Sequence, residues 1–373
     1  MHVVMALTYY APYVSGLTDA ARLVAEELVA RGHRVQVIAT RHDRSLPSAE
    51  TINGVEVIRA PVLLRVGKGA VSPSFARRVA GAAKTASVVN LHLPMLEAGL
   101  VARLCRATPI VVTYQCDVAS GGSLLEGVQQ RVIDLASRTA MARAYAVAVS
   151  SDDYGKHSRL ATALEAKSVS IAPPALDRSG GNPTYRGGAG FHVGFLGRIV
   201  QEKGLEYLVD GFLAMAEPED RLLIAGDYEK VAGGSVIDNV RAHAMGDDRV
   251  QLLGFLPDSA LADFYASLDV FALPSVNSYE AFGIVQVEAM LAGVPALASD
   301  LPGVRVPVQR TKFGVVVSRK DAMAIERGLR ALKDNRLDRD RGRYATHEMY
   351  GVRTSGDLYE ELFRQATVPS AAE

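Results

Sequence analysis

Two glutamates, Glu280 and Glu288, are separated by seven residues in the segment Pro274-Ser-Val-Asn-Ser-Tyr-Glu280-Ala-Phe282-Gly283-Ile284, which runs on through Glu288 to Gly293-Val-Pro295. The pattern predicts a strand ending near Pro274 and a helix starting near Gly283. The opening amides of such a helix, at Phe282, Gly283 and Ile284, lack intrahelical acceptors and form an anion site reinforced by the positive helix end. Gly283 permits close backbone approach. Glu280 before the helix can reach a reacting sugar. Glu288, about one and a half turns inside it, can reach a ribose diol. The plainer reading of the same pair is a helix N-terminal charge and a solvated glutamate.

A second set of charges follows another strand, in Gly194-Phe-Leu-Gly197-Arg198-Ile-Val-Gln-Glu-Lys203-Gly204. Arg198 offers a planar fork and Lys203 a point charge, a combination suited to a diphosphate; an exposed Arg–Glu–Lys turn is the alternative. Near the N-terminus, Tyr10-Ala-Pro12-Tyr-Val-Ser15-Gly16-Leu-Thr18 joins a strand to a helix. Gly16 there either makes room for a phosphate or sugar or is a plain turn glycine. His92, in Asn90-Leu-His92-Leu-Pro94, ends an apolar strand, where a lone histidine is either structural or part of a site. Gln115 and Asp117 end another, Val111-Val-Thr113-Tyr-Gln115-Cys-Asp117, with Asp117 either a loop carboxylate or a sugar contact. Asp338-Arg-Asp340 has the spacing of a metal-binding Asp-x-Asp but sits in an arginine-rich late segment and reads as surface charge. There is no GxGxxG fingerprint, P-loop, Gly-x-Ser-x-Gly elbow or kinase motif set.

These residues need strand ends to hold them. β-Branched runs at Val3–Thr8, Arg34–Thr40, Val55–Ala60, Val88–His92, Ile110–Gln115, Tyr145–Ser150 and Val169–Ala172 alternate with amphipathic segments such as Leu17–Ala30 and Leu96–Cys105. That alternation predicts a parallel sheet covered on both faces. Arg178–Gly190, with five glycines and a proline, reads as a linker. The pattern then restarts, with strands at His192–Gly197, Arg221–Ala225, Val250–Gly254, Val270–Leu273, Pro295–Ala298 and Gly314–Val317. Helices are expected at Leu205–Met215, Ser259–Ser267, Gly283–Ala292 and Ala322–Leu332. The fold class is α/β, with two doubly wound domains and a ligand cleft at their strand C-termini.

Composition narrows the function. The 373 residues carry 41 Lys/Arg and 41 Asp/Glu, which argues against a nucleic-acid binder. Met1–Gly180 has 20 basic and 14 acidic residues, a balance of +6, and the remainder is −6, so the first half suits an anionic partner. Arg131, Arg138 and Arg143 on a helical stretch from Leu125 to Ala144 face either acidic lipid headgroups or solvent. Cys105 and Cys116 make neither a disulfide framework nor a four-ligand zinc site. No apolar run reaches the length of a membrane span, and the N-terminus reads as a strand rather than a signal peptide.

Glu280 and Glu288 with Phe282-Gly283 and Gly293-Val-Pro295 resemble the E-x7-E signature of the retaining glycosyltransferases of family 4, the glycosyl transferases group 1. Gly197-Arg198 with Lys203-Gly204 resembles the same family's phosphate clamp. Tyr10–Gly16 resembles its glycine loop, and Asn90–Pro94 and Thr113–Asp117 its two donor-side strand ends. Two departures stand out: Gln115 occupies the place of a histidine in Thr-x-His, and Ser15-Gly16 replaces Gly-Gly.

The resemblance implies a GT-B architecture of two Rossmann-like domains with an interdomain cleft. An acceptor domain would span 1–178, with the helix at 351–366 packing back on it, and a donor domain 191–350. By position, Arg198 and Lys203 would hold the diphosphate, Glu280 the sugar hydroxyls and Glu288 the ribose. The base would be read near Gly254–Phe255. The implied catalytic group is Glu280, Arg198, Lys203, His92 and Gln115. The implied donor contacts add Gly16, Phe255, Phe282, Gly283, Ile284 and Glu288. No metal and no cofactor is implied beyond a nucleotide diphosphate sugar as co-substrate. The expected reaction is retaining transfer of a hexose or N-acetylhexosamine from a UDP- or GDP-sugar to a hydroxyl of a lipid-linked sugar, polysaccharide or natural product. A non-catalytic sugar-nucleotide or glycan binder and a sugar-nucleotide 2-epimerase are the alternatives. The expected location is cytoplasmic, with peripheral contact at the inner membrane face through the basic N-terminal domain, and no nucleic-acid partner is expected.

Overall fold

The computed structural model describes residues 1–66, 69–118, 124–228 and 234–368. The chain forms two compact units: Met1–Pro174 together with Val352–Glu373, and Ala175–Gly351. Each is built around its own, mainly parallel, doubly wound sheet.

In the first unit the strands lie side by side in the order Ser168–Ser170, Ala146–Val149, Ile110–Tyr114, Val88–Leu93, His2–Ala6, Arg34–Arg41, Val55–Pro61 and Ala49–Ile52. All neighbours are parallel except the last pair, where Ala49–Ile52 runs antiparallel at the edge. The central strands are wholly buried, which explains their mostly apolar sequences; the polar exceptions are Asn90, His92 and Thr113. The first helix, Gly16–Ala30, starts where the Ser15 hydroxyl accepts from the Thr18 amide at 3.2 Å. It buries Ala20, Ala21, Val24, Ala25 and Leu28.

The C-terminal helix, Val352–Thr367, lies on this same unit. Tyr359, Leu362, Phe363 and Ala366 join the core of Val3, Met5 and Val24. Arg31 clamps it with ion pairs to Asp357 at 2.6 Å and Glu360 at 3.0 Å.

In the second unit the order is Val250–Gly254, Arg221–Ala225, His192–Leu196, Val270–Leu273, Ala296–Ser299 and Gly314–Val317, all parallel. The strand order reverses direction between His192–Leu196 and Val270–Leu273. The equivalent reversal in the first unit falls between His2–Ala6 and Val88–Leu93. Doubly wound sheets bind ligands beyond the strand ends at such points.

The glycine-rich segment is not a free tether, contrary to its composition. It belongs to the second unit, and the chain crosses between units earlier, at Pro174–Ala175. The Asn182 amide donates to Asp263 at 2.8 Å, the Tyr185 amide to Ser267 at 3.0 Å, and Arg186 pairs with Asp269 at 3.0 Å. A Cβ at Gly181 would stand 2.2 Å from the Ala262 carbonyl, and one at Gly190 1.9 Å from the Glu219 oxygen. Here glycine permits backbone-to-backbone contact rather than flexibility. Asp338, one half of the Asp-x-Asp, caps the helix Arg339–Tyr350 by accepting from the Arg341 amide at 3.0 Å.

Candidate functional site

The two charged motifs of the second unit meet because of one turn. After the strand His192–Leu196, a single 3-10 turn at Gln201–Lys203 closes on Gly204, whose φ of +62° favours glycine. A Cβ there would sit 2.5 Å from the Pro274 oxygen and 2.5 Å from Val276. The Val276 amide donates to the Glu202 carbonyl at 2.9 Å. The Lys203-Gly204 turn is thereby pressed onto the Pro274–Val276 segment, and Lys203 Nζ donates to the Glu280 carboxylate. Both side chains are largely buried. Arg198 differs: its side chain is 47% exposed and pairs with Glu202 at 3.1 Å rather than with the Lys203–Glu280 pair.

The helix Ile284–Leu291 begins at Gly283, which caps it at φ +77°. A Cβ on Gly283 would meet Leu273 at 2.4 Å, so the helix start is packed tightly on the strand end. Gln286 is fully buried, and its Nε2 donates to the carbonyls of Phe282 and Val304, each at 2.8 Å. These bonds fix the backbone that carries the opening amides. The Phe282 ring is buried and stacks edge-on to Tyr350 at 5.6 Å, so its side chain is committed to the core rather than to the helix start. Glu288 is buried in the same helix. Tyr265 Oη donates to its Oε2 at 3.1 Å, and Arg178 Nε lies 3.4 Å from that oxygen. Burial, followed by the Glu288 charge, pushes the Tyr265 phenol well above its ordinary value. Phe255, beyond the strand Val250–Gly254, is 74% exposed.

The first unit gathers a second group. Gly16 opens the first helix, and Gln115 Nε2 donates to the next residue's carbonyl, Leu17, at 3.3 Å. The same nitrogen lies 3.1 Å from His92 Nδ1. His92 is buried, its Nε2 has no hydrogen-bond partner among the described residues, and burial pushes it down to about 4. The imidazole is therefore neutral at physiological pH. Asp117 serves the fold: its carboxylate accepts from Tyr114 Oη at 2.6 Å, from Ser158 at 2.8 Å and from the Arg159 amide at 3.3 Å.

Tyr265, Gln286 and Arg178 were not singled out by sequence. Tyr265 and Gln286 sit inside apolar helical patterns that signal only core, and Arg178 opens a segment that reads as linker.

Arg198, Lys203, Glu280, Glu288 and the start of the Ile284–Leu291 helix thus lie in one unit, beyond the strand ends at its topological switch point. This arrangement supplies positive charge for a diphosphate beside two carboxylates able to accept hydroxyl protons.

Comparison with known proteins places the chain. Residues 189–349 match the glycosyl transferases group 1 family and residues 15–174 the glycosyl transferase 4-like domain. The chain is 28% identical to a phosphatidyl-myo-inositol mannosyltransferase of Mycobacterium leprae, over 91% of this chain and 90% of that one. It is 30% identical to a GDP-mannose-dependent alpha-mannosyltransferase of Mycolicibacterium smegmatis, over 85% and 84%. In fold it superimposes on the sucrose-phosphate synthase of Thermosynechococcus elongatus with a TM-score of 0.77 at 19% identity, covering 99% of this chain and 100% of that one. With both halves matched in order and full-length relatives at this identity, the chain belongs to the family 4 glycosyltransferases of GT-B fold and is a nucleotide-sugar-dependent glycosyltransferase.

Proposed function

We propose that the chain transfers mannose from GDP-mannose to a hydroxyl of an anionic, lipid-linked acceptor, with retention of anomeric configuration and without a metal ion. The observation that carries the reading is the meeting of Lys203 with Glu280 beside the Gly283 helix start. In this reading the bond from the sugar's anomeric carbon to the diphosphate oxygen breaks, and the electron pair leaves on the diphosphate. Lys203, Arg198 and the amides of Phe282, Gly283 and Ile284 stabilise that charge, the usual principal term in such catalysis. Glu280 accepts from sugar hydroxyls and Glu288 from the ribose. The acceptor oxygen bonds to the anomeric carbon, and its proton passes to the departing phosphate. His92 and Gln115, with Gly16 nearby, form a neutral hydrogen-bonding group within the first unit.

The choice of donor is supported by the GDP-mannose dependence named for the Mycolicibacterium smegmatis relative, and the acceptor by the phosphatidyl-myo-inositol named for the Mycobacterium leprae one. Phe255, beside Gly254, is the base-side residue. An anionic acceptor also suits the +6 balance of Met1–Gly180. Among the described residues no helix is long and apolar enough to cross a membrane, and contact with lipid would be peripheral.

The test supplies GDP-mannose, UDP-glucose and UDP-N-acetylglucosamine in turn with phosphatidylinositol and reads nucleotide release and product. Release from GDP-mannose with an α-linked product, unchanged by EDTA, is expected. A β-linked product overturns retention, and activity lost to EDTA and restored by Mg2+ overturns metal independence. Turnover of a UDP-sugar alone overturns the donor.

A further inference from the structure

Arg178 lies in the glycine-rich segment, three residues past the crossing between units, and its guanidinium packs within the second unit, to which it belongs. Nη2 donates to Asp258 Oδ1 at 2.7 Å. Nε stands 3.4 Å from Glu288 Oε2, within ion-pair range but too poorly aligned for a hydrogen bond. The Tyr265 hydroxyl donates to that same oxygen at 3.1 Å and is itself fully buried. A cation and a phenol from two distant parts of the chain therefore converge on one oxygen of a nearly buried carboxylate. Asp258, which anchors the outer end of Arg178, is exposed.

A carboxylate that receives both hydroxyls of a ribose must present its plane to them, and a free glutamate side chain has several rotamers that do not. Tyr265 supplies direction but no charge. Arg178 supplies the opposite charge that a carboxylate out of bulk water needs beside it. Asp258 holds the guanidinium so that it does not swing away. The remainder of the glycine-rich segment is docked by bonds to Asp263 and Ser267 and by the Arg186–Asp269 pair. Arg178 is thus not the only tie that holds the segment down.

We propose that Arg178 is a positioning residue which, with Tyr265, orients Glu288 toward the donor's ribose and thereby sets the preference for ribonucleoside over 2′-deoxyribonucleoside diphosphates. The proposal rests on Glu288 being the ribose acceptor under the function given above. A purely structural Arg178 would affect stability without touching that preference.

The experiment is calorimetric titration of the full chain, wild type, R178Q and R178K, with GDP, dGDP, UDP and dUDP, alongside Tm for each variant. Wild type is expected to bind the ribo form of its nucleotide roughly 10-fold or more tightly than the deoxy form, the scale of a charge-assisted hydrogen bond. In R178Q the ribo form should weaken about 10-fold while the deoxy form changes little, so the two affinities converge. R178K should restore part of the gap. If R178Q keeps the wild-type ratio, or lowers Tm while both forms weaken equally, the assignment of Arg178 is overturned and the donor site stands. If the wild type binds none of the four nucleotides, the donor-site reading fails and this inference with it.

Discussion

Lys203 donates to Glu280 across 77 residues of sequence, and the contact joins the cation assigned to the leaving diphosphate with the acid assigned to the transferred sugar. The lysine side chain is 14% exposed and the glutamate 19%, so each shields the other from solvent. A diphosphate carries more charge than one carboxylate and competes for the same ammonium. Under the proposed function, donor binding would exchange one partner of Lys203 for another and free Glu280 for sugar hydroxyls.

Replacing Lys203 with alanine should lower kcat by about 100- to 1000-fold, the scale of losing one preorganised charge at the leaving group, and weaken nucleotide binding as well. Lys203→Arg should recover part of kcat. Steady-state kinetics with the preferred donor decide it. A rise in KM with kcat unchanged would mean that Lys203 serves binding alone.

The apolar face of the first unit gives a prediction for the acceptor side. On the helix Leu124–Arg143, Val132 and Leu135 are exposed, the latter at 66%, and Arg131 and Arg138 flank them. The adjoining helix Ala98–Leu104 adds exposed Leu100, Leu104 and Arg103. An apolar stripe edged by arginines fits an anionic lipid surface. Leu135→Ser with Arg131→Glu should reduce sedimentation with phosphatidylinositol-containing vesicles at least several-fold and leave Tm within a few degrees. Equal sedimentation of variant and wild type would exclude this face.

The strands His192–Leu196, Arg221–Ala225 and Val270–Leu273 were legible because a buried parallel strand is an uninterrupted apolar run. Ala49–Ile52 was not, since this antiparallel edge strand has no fully buried residue. The helix Arg339–Tyr350 was also hidden. Its buried face consists of Gly342, Thr346 and Tyr350, which leave no apolar stripe. Glu280, Glu288 and Lys203 could be picked out because motif spacing along one chain reflects local geometry. The Arg178–Glu288 and Tyr265–Glu288 contacts could not, because they depend on which helices pack together, and no local pattern records that.

Composition misled most at the glycine-rich segment, and a pair of substitutions separates docking from flexibility. Gly190→Ala places a Cβ against the Glu219 carbonyl, whereas a Cβ at Gly187 meets nothing within 4 Å. Gly190→Ala should cost about 1–3 kcal/mol, as overpacking does, and Gly187→Ala well under 1 kcal/mol. Urea unfolding measures both. Similar small effects at the two positions would return the segment to the status of a tether.

His92 yields a prediction in which sign matters. Gln115 Nε2 faces the Leu17 carbonyl at 3.3 Å, which requires the amide nitrogen on that side. Its other hydrogen then points to His92 Nδ1 at 3.1 Å, so Nδ1 accepts and the imidazole proton sits on Nε2. Burial pushes His92 down to about 4 in the folded protein, from about 6.5 when unfolded. Between those values the unfolded chain binds the extra proton, so stability is full above pH about 6.5 and falls as pH drops toward 4. The two-state linkage gives a loss of about 2 kcal/mol from this group between pH 7 and pH 5. Urea unfolding of wild type and His92→Gln at the two pH values isolates it: the variant should lose about 2 kcal/mol less. In kinetics, log(kcat/KM) should show no inflection near pH 6.5 attributable to His92, and the 15N shifts of its ring should mark the Nε2–H tautomer throughout. A ring that titrates near pH 6.5, or a variant with the wild-type pH dependence, would place a charged histidine at this strand end. The neutral pair with Gln115 would then be wrong.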